Sequence, residues 1–406
     1  MKRVIFLNRF FFPDHSATSQ LLSDLAFHLA GVGFDTHVIT SRQLYELPDA
    51  QLASNENVRG VHVHRVATTS FGRSRLWGRG IDYLSYYFST SRSLFALTRP
   101  GDTVIAMTDP PLISLFAMPV ARQRHAFLIN WLQDIYPETA IELNIPVLKS
   151  PVGRGIAMLR DRSLKTATAN VVVGSQMARK VISRNVSASR VRVIPNWTDD
   201  NEIRPISHAN NPLRQQWGLE DKFVVAYSGN LGRAHEFDTL LGAAELLKNN
   251  LYIVFVCVGG GHSFDDLSRR VNERNLQHIF RFFPYQDRNM LKYSLSVADV
   301  HWISLKPQLE GLIVPSKFYG VAAAGRAIVA ITAKHGEIAQ LVEQSGCGVV
   351  IEPGDATRLA DILIGFSTNA ERVADMGRRA REMLEAHFTR QRAFERWRAV
   401  LDENSD

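Results

Sequence analysis

The sequence predicts an α/β fold made of two doubly wound domains with parallel sheets. Apolar strand-like runs alternate with amphipathic helical segments from Val4 to Ile194, and the alternation resumes at Phe223. Such alternation is typical of parallel sheets covered by helices on both faces. The chain has 406 residues, of which 45% are hydrophobic, and this is too long for a single core, so two domains are expected.

The first half of the chain divides into predicted strands and helices in regular order. Gly31 and Gly33 end the first helix, whose apolar face repeats leucine at helical spacing. Strands are predicted at residues 4–8, 35–40, 61–66, 103–107, 127–132, 170–174 and 191–194, and helices at residues 19–30, 83–97, 112–122 and 156–167. The polar run 198–202, between Pro195 and Pro205, interrupts the alternation and predicts a linker.

The second half opens with a buried strand that ends in a glycine turn. Residues 223–228 are mainly apolar, Gly229 and Gly232 follow, and an amphipathic helix comes next. The same succession recurs at residues 251–261, which end in three glycines. Because glycine lets the backbone approach a ligand closely, two such turns at strand ends predict one binding crevice.

Residues 310–325 surround the start of a predicted helix rich in small residues. Pro315 suits the first helical position because it lacks an N–H group and its φ is already helical. The free N–H groups near Ser316 and Lys317 would then face an anion, and the Lys317 ammonium adds a mobile positive charge. The segment predicts a diphosphate site; the alternative is an ordinary turn with a surface Lys317 and Glu310.

An ordered set of short motifs in the second half carries a family resemblance. The motifs are Ser228-Gly-Asn-Leu-Gly232, Gly259-Gly-Gly261, the strand 279–283 leading into Pro284-Tyr285, Ala298-Asp-Val300, and Pro315-Ser-Lys317 running on to Gly325. Together they resemble the donor domain of retaining glycosyltransferases of family four. More narrowly, they resemble the bacterial branch that builds O-antigen, capsule and colanic-acid-type exopolysaccharide, including fucosamine-transferase-like enzymes. The resemblance runs from Arg3 to about Trp397.

This resemblance implies the GT-B fold, in which two Rossmann-like domains face a cleft. It implies an acceptor-side domain at residues 1–195 and a nucleotide-sugar donor domain at residues 196–380. The final residues, 381–406, resemble the helix with which the family crosses back to the first domain.

The resemblance also implies which residues bind the donor. The exposed amides of Ser16, Ala17 and Thr18 would face it, where the relatives often carry glycines; the alternative is a simple helix cap. The other implied ligands are the glycine-turn residues Gly229, Asn230, Gly232 and Gly260, the cation Arg233 at the diphosphate, Pro284 and Tyr285 at the base, Pro315 and Ser316, and Glu337 near the sugar.

Two departures from the family affect the catalytic residues. The family uses two glutamates separated by seven residues, but Gly320 stands where the second would sit and Glu310 falls two residues before the place of the first. We infer that Glu310 engages the transferred sugar and that Lys317 supplies part of the positive charge that other members obtain from a basic pair.

Two carboxylates are predicted at the carboxyl ends of strands, where open α/β sheets place ligands. Asp109 precedes two prolines on the acceptor side, and Asp134 follows the strand at residues 127–132. Asp134 looks like the acceptor-side acid of this branch and could receive the proton of the acceptor hydroxyl or orient that hydroxyl. A structural helix cap is the alternative.

The net charge of +7 permits nucleic acid, an anionic membrane or a phosphorylated substrate as partner. No nucleic-acid-binding signature appears, so nucleic acid is not expected. Arg73, Arg75 and Arg79 lie among Trp77 and several tyrosines, a mixture that suits contact with the inner-membrane surface. The alternative is a solvated loop followed by a core helix.

Other features indicate a cytoplasmic protein without a metal or organic cofactor. The apolar run after Lys2 and Arg3 is too short for a signal peptide, and none approaches the ~20 residues of a membrane span. Cys257 and Cys347 fit a reducing compartment, and the scattered histidines show no metal-binding spacing.

The resemblance therefore predicts a metal-independent hexosyl- or acetamidohexosyltransferase. It would move a sugar, with retention, from a UDP-linked donor to a polyprenyl-linked or saccharide acceptor. Two rivals remain open: a nucleotide-sugar epimerase of the same fold, and a non-catalytic nucleotide-sugar-binding scaffold.

Overall fold

The computed structural model describes residues 2–45, 47, 49–71 and 76–403. Their contacts divide the chain into two compact units. One unit comprises Met1–Pro195 together with Phe394–Asp406, and the other comprises Asn196–Ala393. Each unit is built on its own β-sheet, and the two are described separately.

Strands and helices alternate along both units. The strands are β1 (Arg3–Leu7), β2 (Asp35–Ser41), β3 (Asn55–Val58), β4 (Val61–Val66), β5 (Thr103–Ala106), β6 (Phe127–Leu132), β7 (Ala169–Val172), β8 (Val191–Val193), β9 (Phe223–Asn230), β10 (Ile253–Gly260), β11 (Phe280–Phe283), β12 (Val300–Ser304), β13 (Ala327–Ile331) and β14 (Gly348–Ile351). The helices are α1 (Ala17–Gly31), α2 (Leu76–Leu97), α3 (Ile113–Gln123), α4 (Glu138–Glu142), α5 (Pro151–Thr166), α6 (Ser175–Ile182), α7 (Pro212–Gln216), α8 (Asp238–Leu246), α9 (Phe264–Glu273), α10 (Leu291–Ser296), α11 (Lys317–Ala323), α12 (Glu337–Ser345), α13 (Ala356–Ser367), α14 (Ala370–His387) and α15 (Arg390–Glu403).

The first unit contains an eight-stranded sheet with the order β3-β4-β2-β1-β5-β6-β7-β8. Strands β1 and β5 are parallel neighbours although they are distant in sequence, so the strand order reverses between them. In open α/β sheets a ligand crevice forms beyond the carboxyl ends of the strands at such a point. The loops after β1, β5 and β6 are therefore the places where ligand-binding residues of this unit are expected.

One pair of strands departs from the predicted parallel arrangement. Strands β3 and β4 form an antiparallel hairpin at the edge of the sheet, joined by Arg59 and Gly60 with φ of 50° and 85°. Positive φ at both central residues is the mark of the tight turn that matches strand twist. Strand β3 was not predicted because residues 55–58 are mostly polar and show no apolar run.

The second unit contains a six-stranded sheet with the order β11-β10-β9-β12-β13-β14, in which every pair of neighbours is parallel. The order reverses between β9 and β12. The predicted glycine turns lie at the carboxyl ends of β9 and β10, and residues 305–316 follow β12. The α/β fold with two Rossmann-like parallel sheets is thus confirmed.

Three predicted helix starts were wrong, and one of them is that of α5, which begins at Pro151 rather than at residue 156. The second helix, α2, begins at Leu76 rather than at residue 83. Helix α11 begins at Lys317, with Ser316 as its N-cap, so Pro315 precedes the helix instead of opening it. The Phe318 amide still donates to the Pro315 carbonyl at 3.3 Å, which makes the first turn tighter than a regular α-helix.

The last two helices pack within different units. Phe388, at the end of α14, lies with its ring 5.4 Å from that of Tyr319 in the second unit. Trp397 of α15 lies fully buried, with its ring 4.7 Å from the ring of Trp131 in the first unit. Phe394 stacks on His28 of α1 at 4.3 Å. The described residues of the predicted C-terminal segment, 381–403, therefore form parts of two helices and the short link between them, rather than a single helix.

Candidate functional site

Lys317 occupies the centre of the candidate site in the second unit. Its Nζ atom lies 5.6 Å from the centre of the Tyr227 ring. Burial lowers the pKa of Lys317 from 10.5 to about 8. Among the described residues, Lys317 makes no ion pair. A partly buried ammonium without a carboxylate partner is costly, and a bound anion would relieve that cost.

The backbone around Lys317 has no room for side chains at two glycines. A Cβ atom at Gly229 would lie 2.8 Å from Lys317 Cε, and one at Gly259 would lie 2.3 Å from the Gly229 carbonyl oxygen. Both glycines also have positive φ, at 125° and 131°. Glycine is therefore required at both positions, because β9 and β10 end side by side against the lysine stem.

The neighbouring predicted donor residues line the same edge of this sheet. Asn230 ends β9, and Gly232 faces open space. Arg233 is exposed and has no ion pair with the described residues. The ring of Tyr285 lies over Gly260, where a Cβ atom would be 3.1 Å from Tyr285 Cε2, and half of the Tyr285 residue is exposed. Because the Tyr285 ring is exposed and Gly260 has no side chain, the two form a flat surface on which a planar group could stack.

His235 was not predicted as a site residue, although it lies only three residues after Gly232. Its Nδ1 lies 2.8 Å from the Ser304 carbonyl oxygen, so Nδ1 carries the proton and Nε2 is left as an acceptor. Burial, with the nearby Lys317 charge, lowers the pKa of His235 to about 3. The imidazole therefore adds no positive charge that would compete with Lys317.

Glu310 makes hydrogen bonds inside the second unit. Its Oε1 accepts from the Thr332 hydroxyl, and its Oε2 accepts from the Glu337 backbone N–H at 3.3 Å. Gly336, which precedes α12, has no room for a Cβ atom because Glu310 Oε1 would lie 2.2 Å from it. Glu310 thus anchors the start of α12, a role that the sequence did not reveal. Its predicted contact with the transferred sugar stays a prediction, as does that of Glu337.

Asp134 in the first unit has a partly buried carboxylate at the predicted position after β6. Its Oδ1 atom is buried and has no hydrogen-bond partner in the described part of the chain. Burial and, to a lesser degree, the nearby Asp109 carboxylate raise the pKa of Asp134 to about 6. A cavity of about 20 Å³ adjoins it, which is enough for a single water. A carboxylate that titrates near neutrality suits proton transfer.

The loop after β1 differs from the predicted simple cap. Ser16 is the N-cap of α1, but its hydroxyl caps no amide and lies buried without a partner in residues 2–45 and the other described ranges. Asp14 orders the loop instead, since its carboxylate accepts from the Ser16 and Tyr45 backbone amides. Ala17 and Thr18 form the first turn of α1. The capping alternative for the Ser16 side chain was therefore wrong.

Of the four residues predicted to contact a membrane, the structure describes only Trp77 and Arg79. Arg73 and Arg75 lie outside the described residues. Trp77 is placed in α2 by its backbone alone, and Arg79 is exposed near the start of the same helix. Within the described ranges, no helix is both long and apolar enough to cross a membrane. The same ranges contain no group of three potential ligand side chains that could hold a metal ion.

Two Rossmann-like sheets, each with a reversal of strand order, define the class to which the site belongs. Residues 210–383 match the family described as glycosyl transferases group 1, and residues 18–197 match the glycosyl transferase 4-like domain. These two matches together span most of the chain. The protein is therefore a GT-B glycosyltransferase of the family-four type.

Individual proteins support this assignment. The chain is 28% identical over 298 residues, 72% of each chain, to a Pseudomonas aeruginosa protein described as glycosyltransferase WbjE. It is 29% identical over 184 residues, 45% of each chain, to Escherichia coli WcaI, described as a colanic acid biosynthesis glycosyl transferase. The structure of Anabaena HepE in complex with UDP-glucose has a TM-score of 0.74 at 15% identity and covers 99% of this chain and 100% of its own. At that identity, the last similarity concerns the fold.

Replacing Lys317 with methionine should stabilise the second unit at pH 7. The folded-state pKa of about 8 lies below the unfolded value of 10.5, so the unfolded state holds the proton more tightly. Wild-type stability should then rise as pH increases from 8 to 10.5. Lys317→Met, which removes the buried charge, should add about 1–3 kcal/mol at pH 7 and flatten that rise.

Urea denaturation at pH 7 and pH 10 measures both effects. The exposed Lys248 is the matched control, and Lys248→Met should change the unfolding free energy by less than about 0.5 kcal/mol. A destabilised Lys317→Met variant would show that the ammonium is compensated in the folded protein.

Proposed function

We propose that this protein is a retaining, metal-independent glycosyltransferase that moves a hexosyl or acetamidohexosyl group from a UDP-linked donor. The acceptor is a lipid-linked or oligosaccharide intermediate of cell-surface polysaccharide biosynthesis. The Lys317 ammonium, which is partly buried, has a lowered pKa and has no carboxylate partner among the described residues, is the observation that carries the proposal. The name of WcaI supports the biosynthetic setting, and the HepE complex supports UDP as the nucleotide.

The diphosphate of the donor is the counterion that Lys317 needs. In the proposed complex, its phosphate oxygens lie against the amides of the glycine turn at Gly229, with Arg233 as a second, exposed cation. The base takes the platform formed by Gly260, Pro284 and Tyr285. A lysine already desolvated before binding costs little further reorganisation when the leaving-group charge develops.

The proposed reaction breaks the bond between the anomeric carbon and a phosphate oxygen of the donor. The acceptor hydroxyl oxygen bonds to that carbon from the same face, and its proton passes to the departing phosphate. Lys317 stabilises the negative charge that accumulates on the leaving UDP. Asp134 orients the acceptor hydroxyl through the carboxylate oxygen that has no partner in the described residues.

The outer face of the first unit supports a membrane partner. Helix α2 exposes Leu84 and Phe88, and α5 exposes Met158 and Leu159, each by more than half. Helix α3 packs against both. Exposed cations border the apolar side of α5: Arg154, Arg162 and Lys165. An amphipathic face of apolar and basic residues fits an anionic lipid surface, and we propose that it acts with the predicted Arg73, Arg75, Trp77 and Arg79 segment at the cytoplasmic face of the inner membrane.

Calorimetry with UDP, GDP, TDP and ADP tests the donor site. We expect UDP to bind and Lys317→Met to weaken its affinity about tenfold to a hundredfold, because a charged hydrogen bond to phosphate is lost. Lys248→Met should leave the affinity unchanged.

Absence of binding by all four nucleotides would contradict the proposal. Product analysis then separates the rival functions. An epimerase would convert a nucleotide sugar without an acceptor, and a scaffold would return it unchanged.

Asp134→Asn tests the acceptor side. We expect kcat/KM for transfer of a labelled sugar to synthetic acceptors to rise with pH through about 6 in the wild type, as Asp134 ionises. The variant should lose that limb and about 10² in kcat, while UDP affinity remains unchanged. Because burial disfavours the charged form, its thermal stability at pH 7 should be equal or higher. Near-normal turnover in a folded variant would exclude the role.

Flotation with phosphatidylcholine vesicles, with and without phosphatidylglycerol, tests the membrane face. The double change Met158→Glu/Leu159→Glu and the triple change Arg73→Glu/Arg75→Glu/Arg79→Glu should each abolish binding to the anionic vesicles. The matched control is Leu246→Glu/Leu251→Glu, which alters two equally exposed leucines of the second unit and should bind as the wild type does. Equal flotation of all four proteins would refute the membrane proposal.

A further inference from the structure

Arg9 is a buried cation at the carboxyl edge of the first sheet. It follows β1 at the point where the strand order reverses, and its backbone N–H donates to the Asp109 carbonyl oxygen at 2.6 Å. Only 7% of the residue is exposed. The guanidinium is therefore built into the loops where this sheet is expected to bind ligands.

The neighbours of Arg9 position its guanidinium group but supply no negative charge to neutralise it. Its Nη2 donates to Gln43 Oε1 at 3.2 Å, and its Cζ lies 5.4 Å from the Phe10 ring and 5.3 Å from the Tyr83 ring. Its Nε is buried and donates to no acceptor in the described ranges. Over those ranges, Arg9 also makes no ion pair with a carboxylate. Aromatic faces attract a cation, but they do not satisfy its N–H donors.

Other buried arginines of the protein are paired with carboxylates. Arg65 pairs with Glu56, and Arg160 forms a bidentate pair with Glu138. In the second unit, Arg214 lies 3.4 Å from an oxygen of Asp299. All three arginines are as buried as Arg9. Because an uncompensated buried charge costs several kcal/mol, the unpaired Arg9 requires a function that a paired arginine would not serve.

The position of Arg9 links it to the acceptor-side acid. The loop that accepts its backbone hydrogen bond carries Asp109, and Asp109 lies close enough to raise the pKa of Asp134. Tyr83, whose ring lies 5.3 Å from the Arg9 guanidinium carbon, is near enough to Tyr136, two residues beyond Asp134, to add to the burial that raises the pKa of Tyr136. An anion bound by Arg9 would therefore lie near the proposed acceptor hydroxyl.

We propose that Arg9 binds a phosphate group of the acceptor substrate and so selects acceptors that carry phosphate near the reacting hydroxyl. The assignment of this phosphate to the acceptor rests on the proposed function, whereas the anion site itself does not. A guanidinium presents its N–H donors in a planar fork that matches phosphate oxygens, and the two flanking rings keep that fork in place. The phosphate belongs either to a free sugar phosphate or to a polyprenyl-linked sugar.

Calorimetric titration with inorganic pyrophosphate in saturating UDP tests the site, since UDP fills the proposed donor site. We expect Arg9→Gln to weaken pyrophosphate binding about tenfold or more and to leave UDP affinity unchanged. Arg124→Gln is the matched control, because Arg124 of the same unit also stacks on a ring, that of Phe95, at 3.9 Å. It should bind pyrophosphate as the wild type does.

Equal pyrophosphate affinity in the wild type and Arg9→Gln would overturn the proposal. If Arg9→Gln fails to fold, Arg9→Lys takes its place, because lysine keeps the positive charge but lacks the planar fork of N–H donors. Unchanged pyrophosphate affinity in Arg9→Lys would likewise overturn the proposal that the Arg9 guanidinium binds phosphate. Failure of UDP to bind at all would refute the proposed function and leave an Arg9-dependent pyrophosphate site intact.

Two further arms separate the sources of the phosphate. One titrates glucose 6-phosphate, and the other measures flotation with phosphatidylcholine vesicles that contain or lack a polyprenyl monophosphate. Arg9 dependence of the first arm supports a free sugar phosphate, and Arg9 dependence of the second supports a lipid-linked acceptor. If neither glucose 6-phosphate binding nor flotation depends on Arg9, the assignment to an acceptor phosphate is overturned.

Discussion

The packing of one lysine side chain against two strand ends determines the arrangement of residues at the carboxyl edge of the second sheet. Lys317 can occupy its place only because Gly229 has no Cβ atom, and Gly229 can lie there only because Gly259 has none. These glycines adopt positive φ that other residues rarely tolerate. The lysine stem, the two strand ends and the glycine turns therefore form a single steric arrangement, and its result is a desolvated cation with a lowered pKa.

The protein leaves charges unpaired at the carboxyl edges of both sheets and pairs them in several other places. Glu138 accepts from both Arg160 and Arg184, and Asp199 pairs with Arg390. By contrast, Lys317 and Arg9 have no carboxylate partner among the described residues. Such charges cost stability, and they lie at the carboxyl edges of the sheets, where open α/β sheets bind ligands, so their placement favours a functional role over a role in folding.

The sequence was sufficient for most of the strands, but it was insufficient for the side-chain partners. Apolar runs predicted the strands well, because a strand buried on both faces is continuous in hydrophobicity. Strand β3 escaped because it is short, polar and defined only by pairing with β4. The start of α11 was misplaced because a proline that suits the first helical turn also suits the residue before the N-cap.

The candidate site shows the same division. Asp134 and Lys317 were predicted as site residues from their positions after a strand and at a helix start, which are local features, and both stay predictions. Arg9 and Asp14 were missed, since their importance depends on what surrounds them in space: two rings and an amide for Arg9, and two backbone amides for Asp14. The spacing of residues along the chain does not predict whether a buried charge lacks a counterion in the folded protein.

Gly320 and Glu310 are the two positions at which this sequence departs from the glutamate pair of the family. Packing accounts for the position of Glu310 but not for the glycine at 320. Glu310 is held by Thr332 and the Glu337 amide, so its position is fixed by the fold of the second unit. Gly320, where the family carries its second glutamate, lies in α11, and a Cβ atom there would meet only Leu295 Cδ1, at 3.6 Å. That is an ordinary contact, and glycine inside a helix costs about 0.5–1 kcal/mol relative to alanine. Packing therefore does not require glycine at this position, and the contacts of the described residues do not explain its presence.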